Sequence, residues 1–95
     1  MPRTPVGERR LVILEWLKEP HRHFPPQRHA DLVEDGVSAD AVAARLGVRR
    51  EVAVSHLALL TDLGLLRATR VKRRVYYRRD EIRIAEVARI FEKGW

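Results

Sequence analysis

Two amphipathic helical patterns, each closed by a glycine (Gly47 and Gly64), are followed by two short alternating stretches rich in arginine. This order predicts a mainly α domain with a small β-hairpin, a winged helix-turn-helix with an additional helix at each end. The first supporting observation is the pair of helices separated by only Gly47, Val48 and Arg49. The second is the change from helical to alternating period after Gly64. The third is that the positive charge of the chain gathers in the alternating part.

Residues 1–7 are expected to be a mobile arm, and 8–95 a single domain. Glu8–Glu19 reads as the first helix. Leu11, Leu14 and Lys18 share one side, while Val12, Ile13, Trp16 and Leu17 cover much of the rest. A surface helix needs one apolar stripe, so a helix with two is central or shared with a partner chain. Pro20 should end it. The loop to Gly36 is long for a compact domain, and Phe24, Leu32 and Val33 are expected to pin it, with helical content open near Arg28–Val33.

Ser38 reads as an N-cap, with Asp40 in the first turn of the helix. Ala39, Val42, Ala43 and Leu46 form its stripe, and Gly47 its stop. The second helix of the pair should run from Arg50 to Leu63, with Ala53, Leu57 and Leu60 as its core side. Strands are expected over Leu65–Arg70 and Arg73–Arg79, turning at Val71–Lys72 without the usual glycine or asparagine. Val75 and Tyr77 should share one face, and Arg74, Tyr76 and Arg78 the other. Strand packing is the favoured role of Tyr77. Asp80 should cap a last helix whose stripe is Ile84, Val87, Ala88, Phe91 and Trp95.

The 95 residues carry a net charge of +6, unevenly placed. Residues 1–47 hold seven basic and seven acidic side chains, whereas 48–95 hold twelve and six. From Arg67 to Arg79 there are seven basic residues and no acid. Such a patch points to a polyanionic partner, against the plainer reading of a solubilising face. The absence of cysteine excludes disulfides, thiol chemistry and cysteine metal sites. No apolar run reaches the ~20 residues of a membrane span, and the start MPRTPVGERR lacks a signal-peptide core. A cytoplasmic protein without membrane contact is expected.

The stretch SADAVAARLGVRREVAVSHLALLTDLGLLRATRVKRRVYYRRDE, Ser38 to Glu81, resembles the ArsR-type winged-helix repressors. The likeness rests on Ala-x-x-Leu-Gly-Val, Ser-His-Leu with a further Leu, Leu-Gly-Leu-Leu, and Arg-Arg-Val-Tyr-Tyr. The loop HFPPQ to DLVEDGVS is similar to a branch with a long connection after the first helix. The resemblance implies a homodimer built from the first and last helices. It implies a second helix entering the major groove of double-stranded DNA and a wing on flanking backbone. Leu11, Leu14, Trp16, Val87, Phe91 and Trp95 are then the expected dimer contacts, with Trp16 equally open to a place in the monomer core.

The expected DNA-binding residues are Arg49, Arg50, Ser55, His56, Arg70, Lys72, Arg73 and Arg74. His56 is equally open to a half-buried place against the wing. Glu51, Ser55, Ala58 and Asp62 share the outward face of the second helix, which offers two acids where base edges want arginine, lysine, asparagine or glutamine. Where Arg49, Val52 and Val54 stand, the family usually has a small hydroxyl residue. Affinity should therefore come mainly from wing cations on phosphates, and sequence selectivity should be modest.

The metal ligands of the family are missing, since there is no cysteine and no histidine in the last helix. His21, His23 and His29, with Asp31 and Glu34 nearby, are the remaining metal candidates, against the plainer reading of a polar loop; no cofactor is expected. An enzyme is disfavoured, because no phosphate loop or metal motif is present and Ser55 and His56 are helix neighbours that cannot face each other. The long loop and the first helix could frame a small apolar pocket for an unidentified small-molecule effector. The alternative to a DNA-binding repressor is a winged-helix protein-interaction module with weak or non-specific DNA binding.

Overall fold

The computed structural model describes residues 4–91, in which four α-helices surround a three-stranded antiparallel sheet. After a 3-10 turn at Val6–Glu8 come α1 (Arg9–Trp16), β1 (Val37–Ser38), α2 (Ala39–Leu46), α3 (Arg50–Asp62), β2 (Leu66–Val71), β3 (Arg74–Arg79) and α4 (Glu81–Ile90). This is the mainly α winged helix-turn-helix that the sequence predicts. No helix of the described residues is long and apolar enough to cross a membrane.

Helix α1 is shorter than expected at both ends. It stops at Trp16, ahead of Pro20, which opens a second 3-10 turn at Pro20–Arg22. Ile13 and Leu17 are buried, and Leu11 on another side is 61% exposed. The two apolar sides thus separate into one that enters the core and one that does not. The carbonyl of Leu14, in the last turn, accepts from Arg79 Nη1 at 3.0 Å. A cation at a helix C-terminus satisfies an orphan carbonyl and complements the helix dipole. The same guanidinium donates from Nη2 to Glu81 Oε1 at 3.0 Å, and its Nε lies 2.9 Å from Glu81 Oε2 without hydrogen-bond alignment. Arg79 therefore ties α1 and the start of α4 to the end of β3.

The helix-turn-helix forms for the reasons its sequence suggests. Ser38 Oγ accepts from Ala41 N–H at 3.2 Å, capping α2. Gly47 takes φ +71 so that Val48 N–H can donate back to the Ala43 carbonyl at 3.1 Å, a left-handed closure that side chains disfavour. Ala53, Leu57 and Leu60 of α3 are buried against Val42, Ala43 and Leu46 of α2 in one core cluster. Each buried leucine contributes ~1.5–3 kcal/mol relative to exposure, so α3 is fixed by its inner face whatever its outer face carries.

The sheet departs from the sequence reading in three ways. First, β1 was not foreseen. It pairs with β3 (Val37 opposite Tyr77, Ser38 opposite Tyr76), giving the order β1-β3-β2. Two residues are too few to show a strand period. Second, the hairpin turn is Lys72–Arg73, one residue later than expected, with Val71 opposite Arg74. Third, Tyr77 does pack on the core, but Tyr76 is the more buried, at 3% exposure, on the opposite face of β3.

Lys72 and Arg73 have φ of +48 and +72. Two left-handed residues make the mirror-image turn that suits a hairpin, normally asparagine-glycine. A side chain costs roughly 1–2 kcal/mol in this region. Replacing Lys72 by Asn and Arg73 by Gly is therefore expected to stabilise the fold by about 1 kcal/mol and raise the melting temperature by roughly 4–8 °C. A thermal melt that is unchanged or lowered would show that the turn carries no strain.

The loop is anchored by Phe24 and Leu32, both buried, while Val33 is 56% exposed and pins nothing. No helix forms near Arg28–Val33. Instead Asp31 Oδ1 accepts from Val33 and Glu34 N–H at 2.9 and 2.8 Å, and Asp35 Oδ2 accepts from Asp31 N–H at 2.9 Å. These aspartates offer the backbone a local alternative to a helix.

Candidate nucleic-acid interface

The beginnings of α2 and α3, the loop and the wing meet around an open cleft of about 530 Å³. Arg50, Arg73 and Arg74 line it, as do Arg28, His29 and Gln27 from the loop, and Tyr76 is part of its lining. Asp40 is the one acid of the lining, and Arg50 Nε holds it at 3.1 Å. Both partners are largely exposed, so the pair is worth ~0–1 kcal/mol and leaves Arg50 free to exchange partners. The helix dipole at the start of α2 adds to the positive potential.

Away from the cleft, Arg22, Arg67, Arg79 and Arg83 are matched with Glu19, Asp80, Glu81 and Glu86, whereas Lys18, Arg45 and Arg78 have no carboxylate partner among the described residues. Around the cleft and wing, Arg28, Lys72, Arg73 and Arg74 have no carboxylate partner among the described residues, and all four are exposed. Two of these four occupy the strained turn. A local conflict of this kind, cations where asparagine and glycine fit better, is characteristic of a functional surface.

The other expected contacts are spread more widely. Arg49 is the exposed N-cap of α3, and its side chain makes no capping bond. Ser55 is exposed midway along α3, with Glu51, Ala58 and Asp62 on the same outward face. Arg70 lies exposed on β2, opposite Val75. None of these three lines the cleft. Arg28, Gln27 and Tyr76 were missed by sequence reading, because nothing in a proline-rich loop indicates that it folds beside the wing. Gln27 Oε1 accepts from Ser38 N–H at 3.1 Å and its Nε2 donates to the Gly36 carbonyl at 2.9 Å, which fastens the loop to β1.

His56 turns away from the wing and towards α1. Its Nδ1 accepts from Arg10 Nε at 3.3 Å, and its Nε2 is buried with no partner among the described residues. Burial, together with the charges of Arg10 and Arg9, pushes its pKa below the ordinary histidine range. The folded chain thus takes up this proton less readily than the unfolded chain. Stability linked to His56 is complete above the ordinary value of about 6.5 and is lost as pH falls through the lower folded-state pKa. Melting temperature measured against pH should therefore decline below about 6.5 more steeply in the wild type than in His56→Gln. Parallel curves would contradict this placement of His56.

Trp16 is committed within the chain. It meets Phe24 edge-on at 6.0 Å, and Arg45 lies 5.3 Å from its ring centre. Leu14 and Val87 are half-buried, Leu11 and Phe91 are exposed, and Trp95 lies outside the described residues. His21 and His29 are exposed and His23 half-buried. Among the described residues no three histidine or carboxylate side chains converge as a metal site. Asp31 is held by its turn, and two backbone N–H groups keep its carboxyl below the usual range. The pocket between loop and α1, near Leu17, Pro20, Leu32 and Tyr77, measures about 190 Å³, less than the ~300–1,000 Å³ of drug-sized ligand sites.

The protein named "uncharacterized HTH-type transcriptional regulator YbzH", from Bacillus subtilis (strain 168), is 40% identical to this chain over 82 residues. The match covers 86% of this chain and 82% of that protein. The chain belongs to the helix-turn-helix transcriptional regulators. No family model matches this regulator, and no solved structure matches it. As a regulator of this kind, it has a glycine-closed α2–α3 unit, with the exposed cations Arg28, Lys72, Arg73 and Arg74 placed beside that unit.

Proposed function

We infer that this regulator binds double-stranded DNA as a homodimeric repressor of the ArsR type, without the cysteine metal site of that group. The observation that carries the reading is the cluster of exposed cations around the cleft and wing. Arg28, Lys72, Arg73 and Arg74 have no carboxylate partner among the described residues and are open to phosphate. Lys72, Arg73 and Arg74 grip the backbone, while Arg49 and Arg50 bring charge to the start of α3, the helix that enters the major groove. Ser55 is the one polar, uncharged side chain on its outward face. Phosphate contacts position a protein without reading sequence, so selectivity is modest.

The dimer is supported by the apolar surface of α1 and α4. Leu11, Leu14 and Ile84 line a groove of about 260 Å³ between them, and Ile82 on α4 is 75% exposed. Dimeric readers of this kind bind half-sites about one helical turn of DNA apart. Sedimentation showing only monomer at tens of micromolar protein would overturn the dimer.

A second reading is favoured by the acids Glu51 and Asp62 on the outward face of α3. It is a winged-helix interaction module with weak, non-specific DNA binding. Mobility shifts with promoter and random duplexes at two salt concentrations separate the two. The regulator reading expects salt-sensitive binding that is at least several-fold tighter on its own promoter. Equal, weak binding to both duplexes would favour the module.

A further inference from the structure

We propose that the loop after α1 is a second basic wall of the DNA-binding cleft, in which Arg28 holds a backbone phosphate from the side opposite the wing. This rests on the reading of the chain as a DNA binder and adds a contact residue to it. The loop is proline-rich, but around Arg28 it is firmly placed. On its N-terminal side Phe24 is buried and packed edge-on against Trp16. On its C-terminal side Leu32 is buried and the Asp31 turn closes at 2.8 and 2.9 Å. Between them, the two hydrogen bonds of Gln27 to Gly36 and Ser38 fix the residue just before Arg28 to β1. Little further ordering is then needed when a ligand arrives, and preorganisation of this kind lowers the cost of binding.

The charge pattern of the loop supports the same role. Its other arginine, Arg22, is paired with Glu19 at 3.2 Å. Arg28 lies close in sequence to Asp31, Glu34 and Asp35, yet pairs with none of them. Asp31 and Asp35 accept backbone N–H groups of their own turn instead. Arg28 and His29 line the same cleft as Arg73 and Arg74. A guanidinium on each side of a cleft suits a phosphodiester, whose two free oxygens accept its N–H groups in pairs. Asp40 opposes an anion there, and its ion pair with Arg50 offsets that repulsion.

The test is fluorescence anisotropy of a labelled duplex over a salt series, with wild type, Arg28→Ala, Arg28→Lys and Gln27→Ala. Arg28→Ala is expected to reduce the slope of log K against log salt by about one per protomer. It should weaken binding about 5–10-fold per protomer at ~0.1 M salt, alike on promoter and random DNA. Its melting temperature should not change, since the side chain is exposed and has no carboxylate partner among the described residues. Arg28→Lys should retain the slope. Gln27→Ala should lose the same increment by releasing the loop, and adding Arg28→Ala to it should lose nothing more. Wild-type slope and affinity in Arg28→Ala, with binding still weakened by loss of the wing cations, would overturn the loop wall alone. A wild type that binds no duplex at all would overturn the DNA-binding reading, and the loop wall with it.

Discussion

Alanine at Lys72, Arg73 and Arg74 together is expected to weaken duplex binding by roughly 10²–10³-fold per protomer at ~0.1 M salt. The size follows from counterion release. Each phosphate neutralised contributes about 0.9 to the slope of log K against log salt, so three contacts account for about 2.7. The loss should be equal on promoter and random sequence, because phosphate contacts are blind to the bases. The fold should be little disturbed. None of the three has a carboxylate partner among the described residues, all are exposed, and surface changes of this sort usually stay within about 0.5 kcal/mol. Alanine keeps the left-handed strain of positions 72 and 73, so the variant isolates charge from turn geometry. The asparagine-glycine turn removes both the charge and the strain at those two positions, and should melt higher while binding more weakly. Anisotropy on two duplexes at three salt concentrations measures all of this. Retained affinity would remove the wing from the interface, and a loss confined to one sequence would mean that the wing reads bases.

The helix-turn-helix was legible in the sequence because each of its signals is local. Ser38 and Gly47 act on backbone groups a few residues away, and the leucines of α3 recur at helical spacing. The wing was legible for the same reason, apart from its turn, where cations stand in place of the residues that mark such turns. What sequence could not give were contacts between distant segments. Seven basic residues from Arg67 to Arg79 look alike in the chain. Only the fold shows that Arg67 and Arg79 are held by Asp80 and Glu81 while Lys72, Arg73 and Arg74 are open. Trp16 has neighbours 8 and 29 residues away that no helical period indicates. The loop is the clearest case, since its role depends on a two-residue strand whose partner, Tyr77, lies 40 residues further along.

That dependence makes Gly36→Ala the most damaging small substitution expected in this chain. Gly36 has φ +111, where side chains are rarely found, and an added Cβ would collide with the backbone carbonyl of Tyr77. Relief by moving away is opposed on both sides. The next residue, Val37, is fully buried and paired with Tyr77. Gly36 N–H donates to the Asp31 carbonyl at 3.1 Å, and its own carbonyl accepts from Gln27. Strain and lost pairing together should cost about 3 kcal/mol or more, lowering the melting temperature by roughly 12–24 °C. Gly7→Ala is the matched control, because an added Cβ there meets nothing within 4 Å. Hydrogen exchange should show lost protection at the Ser38 amide, with the amides of Leu57 and Leu60 in α3 still protected at low temperature. Under those conditions the variant should lose the salt-slope increment assigned to Arg28 and keep that of the wing, since β2 and β3 pair without β1. A melting temperature within about 2 °C of the wild type would mean that the approach of Gly36 to Tyr77 is loose. The placement of Arg28 at the cleft, which depends on that approach, would fall with it.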